Sequence, residues 1–395
     1  MFRDWPAVCT ERSWIALARS LPPRARRGVL LSLVCLGAGL GIGATQASAS
    51  PFISSFKPNP QPSSSTVPPN GDQNPYGIVT VPRSVGSLRR GDLLISNFND
   101  SANSQGTGTT IVQIPPGEKF AEGNAPVFAQ IDPTKLPGPC PGGVGLTTAL
   151  AVTRTGFVIV GSLPTSDGTF KTAKAGCLLV LNSRGKVVET ISGGPINGPW
   201  DMTAVDNGIF VTLFVTNVLN DTVATSPKVV PEGTVVRLTL LAIPGLRPAV
   251  LDEDVIGTGF AERTDPNAVV VGPTGVALSD DGTLYVADSV NSRIAAIPGA
   301  FFRDRAAQNG GQTVFAGAPL NDPLGMTLAP NGDILTANGG DGNIVETSPD
   351  GRQVTTVGAD QMGGAGVLFG LTVSPHVDGI YFVDDGDNTL RLLEP

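Results

Sequence analysis

Residues Pro273–Ile294 read PTGVALSDDGTLYVADSVNSRI, and this phrase recurs along the chain. It is a Pro-x-Gly, a short apolar strand, an Asp-Gly turn, and a second strand ending in Asp. Asp-Gly between two alternating apolar runs marks a hairpin turn. A second copy starts at Asp322 as DPLGMTLAPNGDILTANGGDGNI, and a third at Phe369 as FGLTVSPHVDGIYFVDDGDNTLRL. A single strand pair cannot bury both of its faces, so such copies must stack on one another.

The phrase can be laid down six times, with its Gly or the counterpart at Gly77, Ala149, Asp201, Gly275, Gly325 and Gly370. Copies two and three are degenerate, the third carrying Asp201 where Gly belongs. Each strand pair is followed by further apolar runs, such as RIAAI after Ser292 and QTVFA after Gly311, which makes four strands per copy. Six four-stranded antiparallel units around an axis predict an all-β, six-bladed β-propeller, which protects its sheet edges by radial repetition. The chain stops one strand short in the sixth unit. The missing strand is expected from the lead-in, at Phe52–Phe56 or Ser65–Val67, closing the ring.

Composition agrees with this reading. The 395 residues include 50 Gly and 34 Pro with only 15% charged, as expected for many short strands joined by tight turns. At the N-terminus, Arg24, Arg26 and Arg27 precede an uncharged apolar run over 28–44, and Ala47-Ser48-Ala49 supplies small residues at −3 and −1. This pattern predicts a secretory signal peptide over 1–49, cut after Ala49. Arg26-Arg27 also faintly resembles a twin-arginine signal. Residues 50–73 are then a lead-in with the closing strand, and 74–395 the propeller. The expected location is secreted or periplasmic, with membrane contact only if the N-terminal segment stays uncleaved.

Removing 1–49 takes six Arg, Asp4 and Glu11 from 26 basic and 34 acidic residues, leaving 20 and 32, a net charge of about −12. No basic stripe remains to neutralise phosphates, which excludes nucleic acid as a partner. Cys9 and Cys35 leave with the signal, and the remaining Cys140 and Cys177 are a possible disulfide in an exported protein. Two Cys and the lone His376 cannot make a Cys/His zinc site.

YVADSVNSRI at Tyr285–Ile294, preceded by PTGVAL, resembles an NHL repeat, and the resemblance extends over most of 74–395. It implies a propeller used chiefly as a binding platform. The pattern is also similar to gluconolactonase- and regucalcin-like propellers, which implies lactone or ester hydrolysis with one divalent metal in the channel. In that group, ligands include the middle residue of Pro-Asn-Gly and Pro-Asp-Gly phrases. The matching residues here are Tyr76, Thr148, Trp200, Thr274, Leu324 and Phe369, none of which is Asp, Glu or Asn.

The sequence therefore favours a binding platform for a small ligand or protein partner, with an enzyme of the hydrolase or lyase type as the alternative. Long second-to-third strand connections at 97–109, 162–176 and 217–233 would gather over one mouth of the channel. Tyr76, Trp200, Asp201 and Phe369 are the expected ligand contacts there, since aromatics in a concavity suit apolar, aromatic or sugar ligands; the competing expectation is that they fill the channel as core. Asp288 and Asp384, with Asn97 and Asn338, form a second ring at strand exits, where short polar side chains hold the following turn. No cofactor is expected. The acidic run Asp384–Asn388 is the best place for Ca²⁺, although it lacks EF-hand spacing, and the alternative enzyme would rebuild a metal site from Asp201, Asp288 and Asp384.

Overall fold

The computed structural model describes residues 50–395, so the predicted export signal, with Cys9 and Cys35, lies outside the described residues. The described chain is a ring of six antiparallel sheets. Blade 1 is Gln73–Thr80, Leu93–Asn99, Thr110–Ile114 and Val127–Gln130, from the axis outward. Blade 2 is Leu146–Val152, Val158–Ser162, Cys177–Leu181 and Val187–Ile191. Blades 4 and 5 repeat the plan with inner strands Pro273–Leu278 and Pro323–Leu328.

Blade 6 combines both ends of the described chain. Its inner three strands are Leu368–Val373, Ile380–Asp384 and Thr389–Leu393. Its outermost strand is Pro62–Ser65, paired antiparallel with Thr389–Arg391. The closing strand thus overlaps the second segment predicted for it, Ser65–Val67, at Ser65 and begins three residues earlier. Phe52–Ser55 is instead a 3₁₀ turn whose Ile53, with Phe56, packs into the core between blades 5 and 6.

Blade 3 departs from the four-stranded plan. After Gly198–Asn207, Phe210–Val218 and Val230–Leu241, its fourth strand runs for 17 residues, Ala249–Asp265, and turns back as Val269–Val271. Only Gly272 separates this extra strand from the inner strand of blade 4. Nothing in the repeat phrase announces the extension, because it is an insertion between copies three and four.

The Pro-x-Gly phrase has a clear structural meaning. In all six blades the register between inner and second strand slips at this point, as between Pro75 and Gly77, Pro273 and Val276, and Pro323 and Met326. Such a bulge re-aims one side chain, here the middle residue, toward the axis. The glycine then lies where the next inner strand passes: a Cβ on Gly275 would sit 2.2 Å from Leu324 O, on Gly325 2.1 Å from Phe369 O, and on Gly370 2.4 Å from Tyr76 O. Gly325→Ala should therefore cost about 3 kcal/mol or more, because backbone must move to admit the methyl. Urea unfolding of this variant beside Gly332→Ala, a turn position at φ 88° where a Cβ meets nothing within 4 Å, sets the cost of crowding beside that of a left-handed alanine in open space.

Candidate functional site: a channel sealed at one end

Antiparallel order places the start of each inner strand, the end of each second strand and the second-to-third connection at the same end of the ring. At that end the middle residues of the six phrases close the axis. Tyr76 is fully buried between Phe98, 4.5 Å away between ring centroids, and Phe369, 3.9 Å away, both stacked. Trp200 meets Tyr76 edge-on at 5.9 Å. Leu324 completes the cluster, and Thr148 and Thr274 are buried beside it. The expected aromatic contacts Tyr76, Trp200 and Phe369 are therefore packed against one another rather than presented at a mouth. Phe98, which the sequence reading missed, belongs to the second strand of blade 1, and no repeat position marks it.

The extra strand of blade 3 forms the lid of this seal. Arg263 pairs with Val271 and Asp265 with Val269, and Val269 and Val270 join the same core cluster as Tyr76 and Trp200. Val269 sits at φ 62°, unfavourable for a β-branched residue, and its burial offsets that cost. The long connections lock onto the lid and each other. Gln105 donates to Asn267 O, Thr165 N to Gly106 O, and Ser226 Oγ bonds Thr264 Oγ1. The Cys140–Cys177 disulfide, with Cα atoms 5.2 Å apart, ties the entry to blade 2 to that blade's third strand. Beneath the lid, burial raises Glu262 to about 8 and Asp385 to about 7; neither was singled out from sequence.

The second ring is structural in every copy. Asn97 donates to Thr66 O, and Asn338 donates to Pro319 O and accepts from Asn321 N. Asn217 fills the same role in blade 3, accepting from Asn197 N and Gly198 N, and Ser162 in blade 2, accepting from Gly145 N. Asp288 is fully buried and held by Arg293 and Asn291. Asp384 accepts from Gly386 N at 3.0 Å, and Arg391 Nε lies 3.1 Å from it. Arg391 also meets Asp360 and Asp387, so a guanidinium occupies the centre of the acidic run where Ca²⁺ was considered.

The residues do not fit the metal site that the lactonase-like resemblance implies. The six middle positions are aromatic, aliphatic or Thr and are closely packed, while Asp288 and Asp384 are committed to arginines rather than brought to Asp201. Among the described residues, no group of three or more His, Cys, Asp and Glu is placed to share a metal ion.

Past the seal, the axis opens. The inner strands are buried at their Pro-x-Gly ends and half-exposed at their far ends, as at Val79, Val152, Ala204, Leu278, Leu328 and Thr372. Between them lies a channel of about 330 Å³, opening on the face of the short hairpin turns. Its walls mix Val, Leu, Ile, Met, Ala and Gly with Thr203, Thr327 and Thr372, and two further polar groups stand at the sealed end. Thr148 Oγ1 is buried without a hydrogen-bond partner. Asp201, the residue in the degenerate glycine position, lines the channel at its sealed end and is 8% exposed. Its Oδ1 accepts from Met202 N at 2.8 Å, and Val276 N also donates to the carboxyl. Burial without a cationic partner raises it from 3.8 to about 8, so it carries its proton at neutral pH.

No curated protein sequence matches the chain. Residues 271–297 match the NHL repeat, the unit that carries the clearest phrase. Among solved structures, a candidate gluconolactonase shares 14% identity over 87% of this chain and 93% of its own, with a TM-score of 0.53. Regucalcin, a calcium-binding protein from Agrobacterium tumefaciens, shares 12% identity over 86% and 93%, with a TM-score of 0.52. A luciferin-regenerating enzyme shares 12% over 82% and 92%, with a TM-score of 0.50. The chain is a six-bladed β-propeller with an NHL-repeat match over 271–297, and it shares its fold with a candidate gluconolactonase and with regucalcin. This is a fold whose solved examples include enzymes.

Two outcomes follow from the seal and the buried acid. Trp200→Ala should cost about 3–5 kcal/mol, as for other fully buried aromatics, read as a lower urea midpoint. Asp201 ionises near 3.8 when unfolded and near 8 when folded, so folding stability is lost as pH rises across that window. Asp201→Asn removes this loss. Between pH 5 and pH 8, parent stability should fall relative to the variant by up to about 1.4 kcal/mol per pH unit, measured by urea unfolding of both.

Proposed function

We propose that the protein takes a small organic molecule into the open half of the channel and acts on it as a hydrolase or lyase, with Asp201 as acid. The observation that carries this reading is a carboxyl, proton-bearing at neutral pH, at the closed end of a concavity lined by aliphatic and threonine side chains. A volume of about 330 Å³ is at the small end of ligand sites and suits a lactone or small ester better than a polymer. A neutral carboxylic acid in such surroundings donates a hydrogen bond to a carbonyl or ring oxygen, and can protonate a leaving oxygen. Thr148 Oγ1 offers a second polar contact in the same wall. The shared architecture with a candidate gluconolactonase adds support from fold alone. Residues 1–49 are read as an export signal, which puts the site in the periplasm or outside the cell.

A second reading keeps the protein as a binding platform on the opposite, loop-covered face. It is favoured by the interlocking of three long connections and the lid into one surface, and its partner would be a protein.

A panel of small lactones and esters tests the first reading by product formation and by thermal shift. Asp201→Asn should lower turnover by about 10²–10⁴-fold, and Ala204→Trp, which obstructs the open end, should abolish ligand-induced shifts. Phe302→Ala, an exposed site elsewhere, should change neither. Ligand shifts that survive Ala204→Trp, or turnover that survives Asp201→Asn, would remove the channel from the mechanism and leave the loop face as the working site.

A further inference from the structure

Away from the channel, the first described residues run up to a pair of buried carboxyls with no cation. Glu346 lies in the third strand of blade 5, Asn343–Thr347, and Asp333 in the turn between that blade's first two strands. They are 2% and 9% exposed. Asn331 Nδ2 bridges them, 3.0 Å from Asp333 Oδ2 and 3.0 Å from Glu346 Oε1. Among the described residues, neither forms an ion pair with Lys or Arg. Burial, then the adjacent Glu346, raises Asp333 to about 6, as expected for two acids that cannot both ionise side by side.

The lead-in is fastened to this pair. Phe52 N donates to Glu346 Oε1 at 2.7 Å and Ile53 N to Oε2 at 2.8 Å. Ser50 O lies 3.5 Å from the same Asn331 Nδ2 that bridges the acids. Ile53 and Phe56 hold the segment down by packing between blades 5 and 6. Ser50 is also the residue that the small-residue pattern at 47–49 places directly after the predicted cut. While peptide-bonded, its nitrogen is a neutral amide. Hydrolysis of the Ala49–Ser50 bond by an export peptidase consumes one water and leaves a carboxylate on Ala49 and an ammonium on Ser50.

We propose that Asp333 and Glu346 are the receptor for the α-ammonium of Ser50, so that cleavage after Ala49 creates the cation this acidic pair lacks. Processing then fastens the lead-in to blade 5, and the lead-in carries the strand, Pro62–Ser65, that closes the ring. The inference rests on the predicted cleavage position and not on the channel chemistry.

The test compares the chain beginning at Ser50 with a free amine and the same chain Nα-acetylated, each with and without the paired substitutions Asp333→Asn and Glu346→Gln. At pH 7, acetylation should lower the thermal midpoint by about 2 °C or more in the parent and leave the substituted chain unchanged. Intact mass of the exported protein should begin at Ser50. Should the substituted chain fail to fold, the parent still decides. Its folded amine should react at least tenfold more slowly with an acylating reagent than the amine of a Ser50–Phe56 peptide. Equal midpoints for free and acetylated parent, an equal loss in both backgrounds, a peptide-like amine reactivity, or a mature start other than Ser50 would each overturn the proposal.

Discussion

Everything in this molecule follows from how closely six inner strands approach one axis. At the Pro-x-Gly bulge, consecutive inner strands pass with carbonyl oxygens where a Cβ would stand, as Gly325 and Gly370 show. That proximity turns six middle residues inward onto a shared core. Tyr76, Trp200, Leu324 and Phe369 fill it with apolar area, which is the dominant favourable term in folding. The same packing that holds the ring together also closes one end of it.

Closure at one end gives the two faces different chemistry. On the loop face, long connections and the blade 3 extension lie over a filled axis, and desolvation pushes the carboxyls of Glu262 and Asp385 well above the usual carboxylate range. On the hairpin face, the axis stays open as a pocket lined by aliphatic and threonine side chains. Asp201 stands at the boundary because its position in the repeat belongs to glycine. A side chain at the point of closest approach has to go somewhere, and this one lines the pocket while accepting from Met202, the next residue of its own strand, and Val276 of blade 4. The most degenerate copy of the repeat thereby supplies the channel's single ionisable group.

The architecture was legible in the sequence because strand pairs with hairpin turns announce themselves locally. The six phrases, the four-stranded plan and closure from the lead-in could all be read from residue spacing. The closing strand was met only at Ser65 by the expected Ser65–Val67, since PSSS at Pro62–Ser65 has no apolar alternation. The strand extending over the axis was missed for a different reason. The residues at 249–271 carry ordinary strand propensity, and only their packing on Tyr76 and Trp200 makes them a lid. The site was partly legible. The middle positions were identified and their departure from a metal-binding set was visible, but whether aromatics face a ligand or each other depends on what covers them. Asp201 was singled out, though for the wrong end of the channel.

The closing strand also sets the order of events in folding. Thr66 Oγ1 bonds Asn388 O across 322 residues of chain, and Pro62–Ser65 has no sheet partner until Thr389–Leu393 has been made. Contacts so distant in sequence are slow to form. A propeller growing from its N-terminus therefore completes its ring last, with an early-made segment waiting for a late-made one. In the interval both edges of the gap are free to pair with other chains. The Pro-rich lead-in, with Pro51, Pro58, Pro60 and Pro62 around the waiting strand, suits that interval, because proline denies a foreign strand its backbone donors.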